Sequence, residues 1–274
     1  ISVPVGKDSL SMRTKWDENS TEHVVKSPLS GVITAMAPVA DVRTSVTPEL
    51  NIDTPSKIIH ISLNNQKRLA GSIFSEVTQS EFLNTPDVDD MGRFKKMFNA
   101  VQELISEHKV LALHDVSDGG LITSLLEMAF TKKVGLDIMI NDLDPKNLNN
   151  YFFAEEVGLV LQVDEAHLDE VTSALTSVNS MVNTIGTISS SKDIVISNAK
   201  ENLYRESITV LEKSWRETSH AIQAMRDNQS IADSELSLLD DNNYSGLYAD
   251  ESFNEGPAKI FSITKTQPKV AVLR

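Results

Sequence analysis

The residues best able to do chemistry are His114-Asp115-Val116-Ser117-Asp118-Gly119-Gly120. They follow a short apolar run at 110–113 and precede an amphipathic one at 121–130. A strand that passes through a polar loop into a helix is where open α/β sheets bind ligands, outside the carboxyl ends of the strands. Asp115 and Asp118 are hard oxygen donors of the kind Mg2+ accepts, one or two carboxylates with phosphate oxygens beside them. Ser117 can donate to a phosphate, and Gly119-Gly120 would let backbone N–H groups approach an anion at the helix start. The alternative is that Ser117 or Asp118 only caps that helix.

Other candidates are thinner. Gly6-Lys7-Asp8-Ser9 resembles the tail of a phosphate-binding P-loop, without the upstream glycine or the strand–loop–helix context. Lys7 either reaches a phosphate or is a solvated turn lysine. Asp41 could hold a metal, but pairing near Arg43 or capping a turn is the simpler expectation. Glu155-Glu156 are adjacent carboxylates on opposite faces of the chain; one of them could be buried and functional, but a solvated strand start is the simpler expectation. His60, His108, His167 and His220 each stand alone, and only His114 has polar company. No Ser-His-Asp or Cys-His constellation forms a motif, so no catalytic residue is assigned.

Around these residues the chain alternates strands and helices. Ile59, Ile61 and Leu63 against His60 and Ser62 have period two and predict a strand at 57–63. Met91, Phe94, Phe98, Val101, Leu104 and Ile105 form one stripe and predict a helix over 87–108. Helical spacing also marks 70–82, 121–130, 168–175 and 204–226. Strands are expected at 29–42, 110–113, 135–140, 158–163, 185–188 and 193–196. Residues 17–28 and 227–256 read as polar linkers. The fold class is α/β (α+β), a mixed sheet covered by helices.

Bulk properties narrow the partners. The net charge of −14 over 274 residues argues against nucleic acid and anionic membrane. A phosphorylated ligand stays possible where Mg2+ or a helix start holds it. No cysteine exists, which removes disulfides, thiolate metal sites and cysteine nucleophiles. No apolar run approaches the roughly 20 residues of a membrane span, and no signal peptide is visible, so a cytoplasmic protein is expected. The opening Ile1-Ser2-Val3 and the closing Val270-Ala271-Val272-Leu273-Arg274 both look like cuts through a longer polypeptide.

A resemblance covers nearly the whole chain. It runs from Pro4-Val5-Gly6-Lys7-Asp8-Ser9-Leu10-Ser11-Met12 through Ser27-Pro28-Leu29-Ser30, Asp41-Val42-Arg43 and Thr47-Pro48-Glu49-Leu50. It continues through Leu113–Leu121, Phe153-Ala154-Glu155-Glu156-Val157-Gly158, Trp215-Arg216-Glu217-Thr218 and Met225-Arg226-Asp227-Asn228 to Pro268–Arg274. In this order the motifs resemble the large, single-chain phosphoribosylformylglycinamidine synthases. That family converts formylglycinamide ribonucleotide, glutamine and ATP to formylglycinamidine ribonucleotide in purine biosynthesis. The resemblance implies an aminoimidazole-ribonucleotide-synthetase-like C-terminal domain at 27–200, preceded at 1–26 by the end of an N-terminal half. A helical and extended linker would occupy 201–267, and the first strand of a glutaminase domain 268–274. It implies Mg2+ and ATP or ADP as cofactors, with Asp115 a Mg2+ ligand, Ser117 a nucleotide contact and Lys7 near the same nucleotide. The site would be an auxiliary one, completed by the rest of the polypeptide, and the piece alone would be inactive. The alternative is a stand-alone nucleotide-binding or scaffold module of the same fold.

Overall fold

The computed structural model of the chain describes residues 12–26, 34, 36–39, 41–141, 144–241, 244 and 246. The chain divides into two compact units, Ile1–Ser45 and Val46–Arg274.

In the first unit, strands β1 (Arg13–Glu18) and β2 (Thr21–Lys26) pair antiparallel, from Arg13↔Lys26 to Glu18↔Thr21. The two residues between them, Asn19 and Ser20, both have positive φ (51° and 65°). That is the backbone of a tight hairpin turn whose twist matches the flanking strands, and asparagine tolerates it well. Trp16 faces His23 in the register, and their rings stack at 5.1 Å. The expected linker at 17–28 is therefore largely hairpin. Farther on, Asp41 accepts from the Arg43 backbone N–H at 3.0 Å and pairs with its guanidinium at 2.6 Å. The expected strand at 29–42 is not seen at residues 34, 36–39, 41 and 42; the remainder of that stretch lies outside the described residues.

The second unit is built on a mixed sheet. Its strands are β3 (Ser56–Ser62), β4 (Val110–Asp115), β5 (Gly135–Met139), β6 (Gly158–Asp164), β7 (Met181–Ser189), β8 (Asp193–Ser197) and β9 (Asn202–Ser207). Their spatial order is β4-β6-β3-β7-β5-β8-β9. Of these pairings β5–β8 is parallel and the others are antiparallel. Successive strand side chains point to opposite faces, and the core divides accordingly. Ile58 and Val160 join Leu121, Leu125 and Met128 in one cluster, whereas Ile59, Ile61, Leu161 and Val163 join Met97, Val101, Leu104, Val171 and Leu175 in the other. So α3 (Gly120–Phe130) covers one face, while α2 (Met91–Ser106) and α5 (Leu168–Ser177) cover the other. The α4 helix (Leu148–Phe153) and the start of α6 (Ile208–Arg226) add Phe152 and Ile208 to the first face. The expected fold class, a mixed sheet covered by helices, is what the chain adopts.

Boundaries moved where local caps compete with periodicity. The helix expected at 87–108 starts only after Asp90, whose carboxylate accepts from Arg93 N–H at 2.8 Å. The one expected at 70–82 shrinks to α1 (Ile73–Thr78), begun by the Ser72 cap and ended by Gln79 in the left-handed region at φ 50°. Residues 202–207, partly expected as helix, pair with β8 instead, and Ser207 then caps α6. Phe152 and Phe153 are helical. The expected linker at 227–256 carries α7 (Gln229–Ser237), capped by Asn228. It lies back on α6 through His220–Asp233 at 3.0 Å and Gln223–Glu235 at 2.9 Å, and buries Ala232. Residues 268–274, where a glutaminase strand was expected, lie outside the described residues. No helix among the described residues is long and apolar enough to cross a membrane.

His60 occupies the central strand β3 and is 5% exposed. Its Nδ1 has no hydrogen-bond partner among the described residues. Burial, and secondarily the charge on Lys67, lowers its pKa from 6.5 to about 3. The folded state thus favours the neutral ring, while the unfolded chain protonates near 6.5. The contribution is complete above that pH and is lost as pH falls toward 3, with a slope approaching ~1.4 kcal/mol per pH unit. Chemical denaturation across pH 7 to 4 should show this extra acid sensitivity in the wild type and not in His60→Leu. Parallel profiles for the two proteins would contradict it.

Candidate functional site

The seven-residue motif is divided by the fold. His114 and Asp115 close β4, Gly120 opens α3, and only residues 116–119 form the turn between them. Strand alternation separates the first two side chains. The His114 ring turns inward, with Nε2 3.1 Å from Glu127 Oε2 and Nδ1 2.7 Å from the Asp115 carbonyl. Glu127 Oε1 in turn accepts from Trp215 Nε1 at 3.1 Å. His114 is thereby a brace joining β4, α3 and α6, and of the loop residues it touches Asp115. The Asp115 side chain points outward, 71% exposed, its Oδ1 3.4 Å from His114 Nδ1. Its backbone carbonyl is held by Ser124 Oγ at 2.8 Å.

The two glycines are required by space. Gly119 and Gly120 have φ of 83° and 73°. A Cβ on Gly119 would collide with Thr123 Oγ1, and one on Gly120 would lie 2.6 Å from the Phe152 carbonyl oxygen. Gly119 is itself the residue that precedes α3, with no side-chain cap. Ser117 and Asp118 therefore do not cap the helix, which removes the simpler explanation for their presence. The Ser117 hydroxyl and the exposed Asp118 carboxylate make no hydrogen bond among the described residues.

The glycine amides do not face a ligand as expected. Glu155 Oε1 accepts from Gly119 N–H at 2.8 Å and from Ile73 N–H, at the start of α1, at 3.0 Å. Gly120 N–H bonds to the Ser117 carbonyl at 2.9 Å. The anion at this turn is the protein's own carboxylate. Glu156 faces the other way and is buried against Arg68: Nε and Nη2 each meet a carboxylate oxygen at 2.7 Å, and the Arg68 backbone N–H adds a bond at 3.0 Å. Arg68 also reaches Asp89 at 3.0 Å and the Asp87 carbonyl at 3.0 Å. Glu156, and after it Asp89, raise the arginine's pKa. The expectation of a solvated strand start at 155–156 is therefore wrong. Glu155 is half-buried against backbone amides, while Glu156 is buried and a bidentate fork offsets its desolvation. Their adjacency was visible in the sequence, but their partners, roughly 35 to 90 positions away, were not.

What the turn offers outward is side-chain oxygen: Asp115, Asp118 and the Ser117 hydroxyl. This donor set fits Mg2+ in kind, since Mg2+ commonly takes one or two carboxylates and fills its octahedron with water and phosphate. Among the described residues no group of three or more His, Cys, Asp or Glu could hold a metal by itself. Lys7 lies outside the described residues.

Residues 56–197, just over half of the chain, match the family described as AIR synthase related protein, C-terminal domain. Residues 1–38 match the FGAR-AT PurM_N-like domain. Among solved structures, Thermotoga maritima PurL complexed with FGAR aligns at 11% identity over 69% of this chain and 30% of that one, with a TM-score of 0.52. Phosphoribosylformylglycinamidine synthase II from the same organism aligns at 11% identity over 69% and 28%, with a TM-score of 0.49. E. coli HypE aligns at 17% identity over 59% and 51%, with a TM-score of 0.42. At these identities the likeness concerns the fold, and this chain spans under a third of the length of the Thermotoga chains.

The turn makes two expected outcomes measurable. Glu155→Ala leaves the part-buried Gly119 amide and the exposed Ile73 amide without their acceptor and should cost about 1 kcal/mol, with faster amide exchange at both. Gly120→Ala meets backbone at a positive φ and should cost at least about 2 kcal/mol. Denaturation midpoints and amide exchange unchanged in Glu155→Ala would rule out the clamp.

Proposed function

This chain belongs to the family of AIR synthase related proteins, through their C-terminal domain, and from that membership we propose that it is part of a phosphoribosylformylglycinamidine synthase. That ligase makes formylglycinamidine ribonucleotide from formylglycinamide ribonucleotide, glutamine and ATP in purine biosynthesis. Two matches in sequence order support the reading, an FGAR-AT PurM_N-like segment followed by the AIR-synthase-related domain. So does the shared fold with a PurL that was complexed with FGAR. In this proposal the rest of the polypeptide, another synthetase half and a glutaminase domain, supplies the catalytic groups. The division at 26/27, 200/201 and 267/268 belongs to the same proposal, whereas packing divides the chain at 45/46.

The observation that carries a role for this piece is the set of side-chain oxygens of Asp115, Ser117 and Asp118 at a turn whose two glycine amides already have acceptors within the protein. Asp115 is proposed as a Mg2+ ligand and Ser117 as a donor to a nucleotide phosphate, with Lys7 reaching the same nucleotide. Two exposed carboxylates on a chain of net charge −14 repel a bare polyphosphate. A nucleotide can approach this turn only with its cation, which neutralises phosphate charge when bound. Asp115 positions that charge and Ser117 orients the phosphate. The resemblance to that synthase is what makes this an auxiliary nucleotide site in the proposal, and the isolated chain inactive.

Titration of the 274-residue chain with Mg-ADP, followed by NMR, tests this. Weak binding, roughly millimolar, should perturb residues 115–120 only when Mg2+ is present. Asp115→Asn should weaken it at least about tenfold, or ~1.4 kcal/mol. Perturbation that ignores both Mg2+ and the substitution would refute the assignment. Product formed from ammonia and ATP by this chain would refute its inactivity.

A further inference from the structure

A polar cavity is lined in part by α4, the helix whose last residues pack on Gly120 of the turn. Its volume is about 620 Å3, within the range of small-molecule sites. Residues following β3, the end of β5, the start of β7 and α4 line it, among them Asn65, Lys67, Asn150, Tyr151, Asn183 and Thr184. We propose that this cavity is a binding site, built on Lys67, for the phosphate group of a small hydroxylated molecule, and that it is separate from the turn at 116–119.

Lys67 carries the argument. Its ammonium makes no hydrogen bond or ion pair among the described residues and lies over the Tyr151 ring, 5.5 Å from the centroid. Withdrawal from solvent lowers its pKa, and the charge of Glu156 opposes that only in part. Glu156 is engaged by the Arg68 fork and backbone, so it does not neutralise Lys67. Lys67 is half-buried at the cavity, so water is what its ammonium meets there, and an oxyanion entering the cavity would replace that water with a charge-assisted hydrogen bond.

The remaining wall is neutral. Tyr151 has its pKa pushed up to about 12 by burial and keeps its phenolic proton as a donor. Behind it His60 meets the ring edge-on at 6.2 Å and stays uncharged near neutral pH. Asn150 Nδ2 bonds to the Lys67 carbonyl at 3.2 Å and fixes the segment that bears the lysine. Asn65, Asn183 and Thr184 can both donate and accept, which suits hydroxyl groups. No carboxylate is among the described lining residues. On a chain of net charge −14 this acid-free hollow with one unpaired cation is a local exception.

The test uses inorganic phosphate and ribose 5-phosphate, without Mg2+, against the 274-residue chain. Both should shift NMR signals at residues 65–67, 150–151 and 183–184, and ribose 5-phosphate should bind several-fold more tightly. Lys67→Met should weaken binding at least tenfold, while the exposed Lys200→Met should not. In the wild type, ribose 5-phosphate should slow reductive methylation of Lys67, a readout that needs no variant. Absence of these shifts, undiminished binding by Lys67→Met, or acetate binding as tightly as ribose 5-phosphate would each overturn the proposal. The Mg-ADP experiment reads residues 115–120 and requires Mg2+, so either site can fail without the other.

Discussion

Glu155 and Glu156 enter β6 on opposite sides of the chain, and each closes a different set of polar groups. Glu155 gathers the amides of Gly119 and Ile73, tying the turn before α3 to the start of α1. Glu156 takes the Arg68 guanidinium and the Arg68 backbone amide, tying β6 to the segment after β3. Removing Glu156 would leave the largely buried Arg68 fork without its acceptor, which costs more than a typical hydrogen bond contributes, whereas the Glu155 donors lie nearer solvent. These few atoms hold the carboxyl ends of β3 and β4 in register with the entry of β6, and both candidate sites lie at that end of the sheet.

The clamp also decides what kind of site the turn can be. A helix start with free amides would bind phosphate through its backbone. Here an internal carboxylate satisfies Gly119, and Gly120 is pressed against the Phe152 carbonyl. The two glycine amides are thus structural, and the proposed site relies on the side chains of Asp115, Ser117 and Asp118. Carboxylates and a hydroxyl recruit a cation first and phosphate through it.

How much of this was legible in the sequence depends on burial. β3 and α2 were legible because one or both faces are packed, which imposes period two on Ile59 and Ile61 and a stripe on Val101 and Leu104. The β1–β2 hairpin was not: its residues are nearly all exposed, so no hydrophobic period marks them, and the signal was the Asn19-Ser20 turn. β9 and α7 were missed for a related reason. β9 is a half-exposed edge strand, and α7 is held mainly by polar pairs to α6 with Ala232 as its buried residue. At the site the motif 114–120 was legible as a strand-to-helix turn. Glu155 and Lys67 were not, because what distinguishes them is groups distant in sequence: two amides for one, and for the other the Tyr151 ring with no hydrogen-bond acceptor among the described residues.

The short α4 helix joins the two regions physically. Tyr151 walls the cavity, and the backbone of Phe152 and Phe153 lies within contact of Gly120. Phe153 stacks on Phe74 of α1 at 4.8 Å, and α1 shares the Glu155 carboxylate with the turn. Close-packed contacts of this kind do not deform continuously. A shift of α4 that widened the cavity would press on Gly120, where there is no room even for a Cβ. The turn and the cavity therefore share the α4 helix as a common wall.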